Sequence, residues 1–265
     1  MMELGLNNKI ALITGGASGI GGEIVRDLAR EGVKIVFTSR DEKRGTALQD
    51  SLIKENYKVK FLNTDISKDG APQEAVKFTE NNFGEINILI NNVGSTLNII
   101  DPFCSLEDWR KLYRLNLEVH IELSNLVIPK MIKNNWGRIL NITAGAALEN
   151  SGPVPYSTFK SAYTAYTRSM ARVLAKSGIV MSAILPGVVL TETGHWENVL
   201  RTNPDHASKY LEERTVLGRF GKPNEITPFV KLLVSDLASF AVGSIIPVEG
   251  GQARHYMAGN RESYI

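Results

Sequence analysis

Tyr156 and Lys160 stand four residues apart in the stretch NITAGAALENSGPVPYSTFK, residues 141–160. A free phenol holds its proton up to about pH 10, too high for ready exchange at neutrality. A cation within several ångströms favours the phenolate, and the i,i+4 spacing brings both side chains to one helix face. The pair therefore offers a phenol that gives a proton to a substrate oxygen, or takes one from it. With eight tyrosines in the chain, a chance Tyr-x-x-x-Lys is ordinary. The weight comes from its place: it opens a helix directly after the strand RILNIT (138–143) and a loop bearing glycine and proline. Thr143 ends that strand. Its hydroxyl can orient and polarise a carbonyl, although a β-branched strand residue needs no such role.

A second constellation, TGGASGIGG (14–22), follows the first strand and opens the first helix. Gly15, Gly19 and Gly21, with Ser18 and Ile20 between them, allow a tight turn and a close backbone approach to a ligand. The helix N-terminus behind them presents unsatisfied N–H groups to an anion. The Gly-x-x-x-Gly-x-Gly spacing is neither the G-x-G-x-x-G dinucleotide fingerprint nor a P-loop. A plain strand-to-helix turn would also use these glycines. At the end of the second strand, Thr38-Ser39-Arg40 precedes any carboxylate, the first being Asp41. An arginine there suits the 2′-phosphate of NADP, whereas an acidic residue would suit NAD. NADP(H) is therefore favoured and NAD(H) stays open, since a solvated arginine at a helix start looks the same.

The elements that must position these groups alternate along the whole chain. KIALIT (9–14), KIVFTS (34–39), KVKFLNT (58–64), INILINN (86–92), RILNIT (138–143), IVMSAIL (179–185) and SIIPVE (244–249) read as short buried strands. Helical stretches follow them, from Gly19, Asp41, residue 71, Leu106 and Tyr156 onward. This pattern predicts an α/β fold: a Rossmann-type, doubly wound three-layer sandwich on a seven-stranded parallel sheet. No linker or repeat divides the chain, so residues 1–265 are expected to form a single domain. Ligands of such sheets bind beyond the C-terminal strand ends. That gathers the glycine turn, Asp65-Ile66, Asn92-Val93-Gly94, Thr143, and Pro186-Gly187 through Val189 to Thr191. Asn116 interrupts the apolar helical stripe of Leu112, Leu115, Val119, Leu123 and Leu126. A buried amide needs partners, so Asn116 either makes a structural bond or holds a catalytic water.

Composition excludes several classes. The net charge is +2, and the basic residues are scattered, which leaves no footprint for nucleic acid or an anionic membrane. The longest apolar run, Ile179 to Leu190, is broken by Ser182, Pro186 and Gly187, so no membrane span is expected. The N-terminus has no signal-peptide pattern, and the lone Cys104 cannot form an internal disulfide. A cytoplasmic protein without a metal site is expected.

Taken together, these residues resemble the short-chain dehydrogenase/reductase family in its single-domain branch, from about residue 7 to 251. TGGASGIG looks like its TGxxxGxG loop, NNVG (91–94) like NNAG, PGVVLT (186–191) like its PGxxxT cofactor clamp, and VEGG (248–251) like VDGG. Asn116, Tyr156 and Lys160 match three members of its Asn-Ser-Tyr-Lys tetrad. The resemblance implies hydride transfer at a carbonyl/alcohol centre and a homo-oligomer, a tetramer or a dimer. In that scheme Tyr156 is the acid/base, Lys160 lowers its pKa and holds the nicotinamide ribose, and Asn116 carries a relay water. Asp65 and Ile66 flank adenine, while Asn92 and Thr191 position the nicotinamide half. Counting thirteen residues back from the tyrosine puts Thr143 in the serine's place, whereas aligning NITA puts Ala144 there. Chemistry favours Thr143. Residues 191–215 are expected to form a mobile substrate lid with His195 and Trp196, opposite a wall of Leu148, Glu149 and Asn150. The substrate is a small carbonyl or alcohol, with 3-oxoacyl-carrier-protein reductases a first guess by resemblance. The rival readings are a non-catalytic NADP(H) sensor or scaffold, and an epimerase or dehydratase, whose relatives usually carry an added C-terminal domain.

Overall fold

The computed structural model describes residues 3–149, 152–192 and 194–252. Seven strands form one parallel sheet in the order β3-β2-β1-β4-β5-β6-β7. They are β1 (Ile10–Thr14), β2 (Lys34–Ser39), β3 (Val59–Asn63), β4 (Ile88–Asn91), β5 (Gly137–Ile142), β6 (Ile179–Pro186) and β7 (Ile245–Val248). The order reverses between β1 and β4, the position at which such sheets hold ligands beyond the strand ends.

Side chains alternate across the sheet because a strand has period two. Ala11 and Ile13 of β1 and Ile35 and Phe37 of β2 enter one core with Ile24, Leu28, Leu48 and Val230. Leu12 and Val36 enter the other with Val76, Val119, Leu123 and Leu174. Helices α1 (Gly19–Arg30), α2 (Glu42–Lys54) and α10 (Pro223–Leu233) cover the first face. Helices α3 (Ala71–Phe83), α5 (Val119–Lys133) and α7 (Val154–Leu174) cover the second. This is the expected three-layer sandwich.

Local chemistry sets the boundaries that matter for the site. Asp41 caps α2, its carboxylate accepting from Arg44 N at 3.0 Å, so Arg40 lies just outside the helix. Ser105 caps α4 (Leu106–Tyr113), accepting from Asp108 N at 3.1 Å. Pro153 is extended and Pro155 lies in the first turn, which starts α7 at Val154 and seats Tyr156 near its N-terminus. Three features depart from the expectations above. The long helix after Leu106 is broken by a π turn, Arg114–Glu118, between α4 and α5. A short helix, α6 (Ala146–Glu149), precedes α7. The segment expected as a lid contains two helices, α8 (His195–Thr202) and α9 (Pro204–Arg214).

Candidate active site

Gly15 and Gly19 adopt positive φ, +65° and +56°, which side-chain-bearing residues resist. A Cβ at Gly21 would collide with the Gly15 carbonyl and with Asn92 Nδ2. The turn is tied to the neighbouring strand end by groups the sequence did not announce. Thr14 Oγ1 accepts from Asn92 N (3.0 Å) and Val93 N (3.1 Å). Asn92 Nδ2 donates to the carbonyls of Thr14 (2.9 Å) and Gly15 (3.1 Å). Ser18 precedes α1 without a side-chain cap, so the N-terminal N–H groups stay available. Ile20 and Val93 pack on the two cores, one on each face.

At the end of β2, Ser39 Oγ accepts from Asp41 N at 3.1 Å. Arg40 extends into solvent, its Nη1 3.9 Å from Asp65 Oδ2. Partial burial raises the Asp65 carboxyl, but the Ser67 hydroxyl and main chain, with Arg40 and Lys68, hold it below its usual range. Ile66 is buried in the second core.

Lys160 is buried, 2% exposed, and its Nζ donates to the Ile142 carbonyl at 3.2 Å. A Cβ on Gly94 would lie 2.8 Å from that Nζ and 3.1 Å from Asn116 Oδ1, so the glycine lets Lys160 and Asn116 converge. Burial draws Lys160 down to about 8. Tyr156 is half-buried with its ring centroid 5.7 Å from Lys160 Nζ. Burial pushes its phenol up to about 12. The ammonium, turned to Ile142, does not offset that push here. Asn116 lies in the π turn with its amide fully engaged. Oδ1 accepts from Ser95 N (3.1 Å), and Nδ2 donates to the carbonyls of Ser95 (2.9 Å) and Leu112 (3.0 Å). Its side chain is thus a structural clamp on the loop after β4. π turns recur at functional sites because the extra residue re-aims a side chain.

Thr143 is 5% exposed, and its hydroxyl donates to the Ile184 carbonyl at 3.3 Å, long for an O–H···O bond. Ala144 is less buried. Pro186 ends β6, and its carbonyl accepts from Gly145 N. Gly187 N donates to Val248 O, and Val189 bridges to Gly221. Thr191 sits against Gly19, where an added Cβ would lie 3.2 Å from Thr191 Cγ2. The clamp and the glycine turn therefore meet, as the sequence reading required.

Leu148 and Glu149 lie on α6, held against α7 by Ser161 Oγ donating to Ala147 O; Asn150 lies outside the described residues. His195 is exposed, whereas Trp196 centres an aromatic cluster with His195 (5.2 Å), Tyr210 (4.4 Å), Phe220 (5.2 Å) and His206 (6.5 Å). The reading from sequence missed Gln252. Its Oε1 accepts from Val188 N at 3.0 Å and its Nε2 donates to Tyr210 OH at 3.0 Å, joining the segment after β6 to α9. No motif marks such a link.

Known proteins resemble this chain in sequence and in fold. The family described as short chain dehydrogenase matches residues 9–199. The 3-oxoacyl-[acyl-carrier-protein] reductase FabG of Aquifex aeolicus is 31% identical over 252 residues, covering 94% of this chain and 99% of that protein. L-sorbose reductase from Gluconobacter frateurii, complexed with NADPH and L-sorbose, superposes with a TM-score of 0.87 at 27% identity, covering 95% and 98% of the two chains. A 7α-hydroxysteroid dehydrogenase with NADH and a 7-oxo bile acid conjugate gives 0.87 at 29% identity, covering 96% and 98%.

Proposed function

The chain belongs to the short-chain dehydrogenase/reductase family of NAD(P)-dependent oxidoreductases, and from that premise we propose that it reduces a ketone to a secondary alcohol with NADPH, or runs the reverse. One observation carries this reading: the half-buried Tyr156 stands one helical turn before the buried Lys160, whose Nζ lies beside Gly94, two residues after the Asn92 that bonds Gly15 of the glycine turn. The residues fit a nicotinamide dinucleotide, because the Gly15–Gly21 cradle would be filled by any Cβ at Gly21 and α1 leaves its N-terminus open. The cradle would hold the pyrophosphate and Arg40 a 2′-phosphate. Asp65 and Ile66 would border adenine, while Asn92, Lys160 and Thr191 would hold the nicotinamide half. When bound, the cofactor supplies or takes the hydride.

The protein's own part is proton and carbonyl handling. Tyr156 gives its phenolic proton to the substrate oxygen as charge develops there. Lys160 Nζ, 5.7 Å from the Tyr156 ring, would favour the resulting phenolate once it turns as an ammonium from the Ile142 carbonyl towards the phenol. The long Thr143–Ile184 bond is readily exchanged, which frees the Thr143 hydroxyl to donate to the same oxygen. Residues 191–215 act as the substrate lid of a single catalytic domain, with Trp196 holding α8 and α9 together. Leu148, Glu149 and His195 face the substrate side.

NADPH is preferred over NADH because Arg40 can meet a phosphate through two charge-assisted bonds, and one structural relative carries NADPH. The relatives act on different ketones, so a substrate panel is the test: a 3-oxoacyl thioester, a ketose and a ketosteroid, with NADPH and NADH. Wild type is expected to oxidise NADPH with one class, and Tyr156→Phe to lose about 10²–10⁴-fold. Arg40→Ala should weaken NADPH and spare NADH. Equal turnover in wild type and Tyr156→Phe contradicts the reading.

The Thr143 geometry favours a second reading. If its hydroxyl stays on Ile184, the site binds NADP(H) without efficient chemistry, as a sensor or scaffold. NADPH binding with no turnover on the panel would support that alternative.

A further inference from the structure

His120 is a fully buried imidazole that the chemistry above leaves unused. It lies four residues after Asn116, so both side chains share one helix face. Its ring stacks flat on Tyr163, with centroids 4.7 Å apart and planes at 10°. Tyr163 is itself pinned, since its hydroxyl donates to Asn141 Oδ1 at 2.6 Å. Asn141 Oδ1 also accepts from Asn91 Nδ2, and Asn141 Nδ2 donates to Thr167 Oγ1. The His120 carbonyl accepts from Ser124 Oγ at 2.7 Å. The imidazole is thus fixed in plane and in place.

Both of its ring nitrogens nevertheless lack a hydrogen-bond partner among the described residues. The Val93 main chain lies beside the ring without closing a well-formed bond. Buried polar atoms are satisfied by protein or by internal water, so this ring calls for a water. The charge that acts on it is Lys160, from α7. The titratable ring stacked on it, Tyr163, also comes from α7 and is a phenol that burial holds protonated. Burial first, then Lys160, keeps the imidazole neutral. A neutral imidazole has one acceptor nitrogen. Lys160 has three donors and makes one hydrogen bond, to Ile142. The Tyr163 ring that stacks on His120 also has its centroid 5.9 Å from Lys160 Nζ.

We propose that His120 is a positioning residue which, through an internal water between its ring and Lys160, holds that side chain as an ammonium. Its catalytic consequence rests on the Tyr156–Lys160 reading. The arrangement itself is testable without cofactor or substrate.

Protein carrying lysine labelled with ¹³C at the ε carbon is titrated by NMR for wild type, His120→Phe and His120→Asn. Phe keeps a ring against Tyr163 but offers no acceptor, whereas Asn keeps an acceptor. The Lys160 midpoint is expected to fall by about one pH unit in the Phe variant and to stay near wild type in the Asn variant. Coinciding midpoints in wild type and His120→Phe, or equal shifts in both variants, would overturn the proposal. Should the Phe variant fail to fold, imidazole ¹⁵N shifts of the wild type decide. His120 is one of four histidines, and a hydrogen-bonded acceptor nitrogen supports the proposal while a free one refutes it. If the Lys160 titration behaves as stated but Tyr156→Phe turns over normally, the reaction assignment falls and this inference stands.

Discussion

Thr143 and Lys160 are where single side chains decide the outcome. Thr143 owes its candidacy to one hydroxyl on a 3.3 Å bond. Thr143→Val keeps the strand shape and removes the donor, so ketone reduction should fall by about 10²-fold while Thr143→Ser stays near wild type. If Val costs nothing and Ala144→Ser raises the rate, the functional position is Ala144. Lys160 makes a prediction in stability. Its value of about 8 lies below the ordinary 10.5, so between those pH values the unfolded chain binds more protons than the folded one. Stability from this group therefore rises with pH across that window, and its full cost, roughly 3 kcal/mol, is present below about 8. Thermal melts should show Lys160→Met more stable than wild type at pH 7, with the advantage fading towards 10.5. An advantage that grows with pH would show that the ammonium is not buried at a cost. Activity should decline as pH rises past about 8, because the ammonium is the form that favours phenolate.

At the scale of elements, the clamp, the lid and the π turn set the geometry. Gln252 bonds Val188 N on the clamp and Tyr210 OH on α9, while Leu190 and Val188 pair with Gly221. The segment after β6 is thereby tied to α9. Gln252→Ala should raise KM for the ketone several-fold and lower the melting temperature by only a few degrees, since its two part-buried bonds contribute about 1 kcal/mol each. Unchanged steady-state constants would uncouple the two elements. These features also mark the limit of what the sequence discloses. The β-branched runs and the glycine turn announce strands and cradle, because period-two burial and positive φ restrict residue type. The π turn adds one residue to a helical register without altering composition. Helices α8 and α9 escape notice because their apolar stripes are short: Trp196, Val199 and Leu200 in α8, and Ala207, Tyr210 and Leu211 in α9, span little more than one turn each. The role of Asn116 could not be read from spacing, because Ser95, its partner, meets it only in three dimensions.

For the whole molecule, the sheet order with its reversal between β1 and β4 sets the ends of β1, β4 and β5 side by side, so that Asn92 bonds Gly15, while Thr191 sits against Gly19. Among the described residues no helix is long and apolar enough to cross a membrane. The outer side of α7 carries small residues, Ala165 and Ser169 exposed and Ala162 partly so, flanked by Val154 at 52% and Val173 at 72% exposure. Small residues permit close helix packing, so we propose a homo-oligomer joined there. Light scattering should give a multiple of the 29.2 kDa chain mass, and Ala165→Arg should reduce it; the same mass for both proteins would exclude that face. The most direct test of the central claim is the single-turnover rate of hydride transfer from NADPH in Tyr156→Phe, with cofactor affinity measured on the same protein. The account predicts a loss of about 10²–10⁴-fold with NADPH binding essentially unchanged, and transfer at the wild-type rate would contradict it.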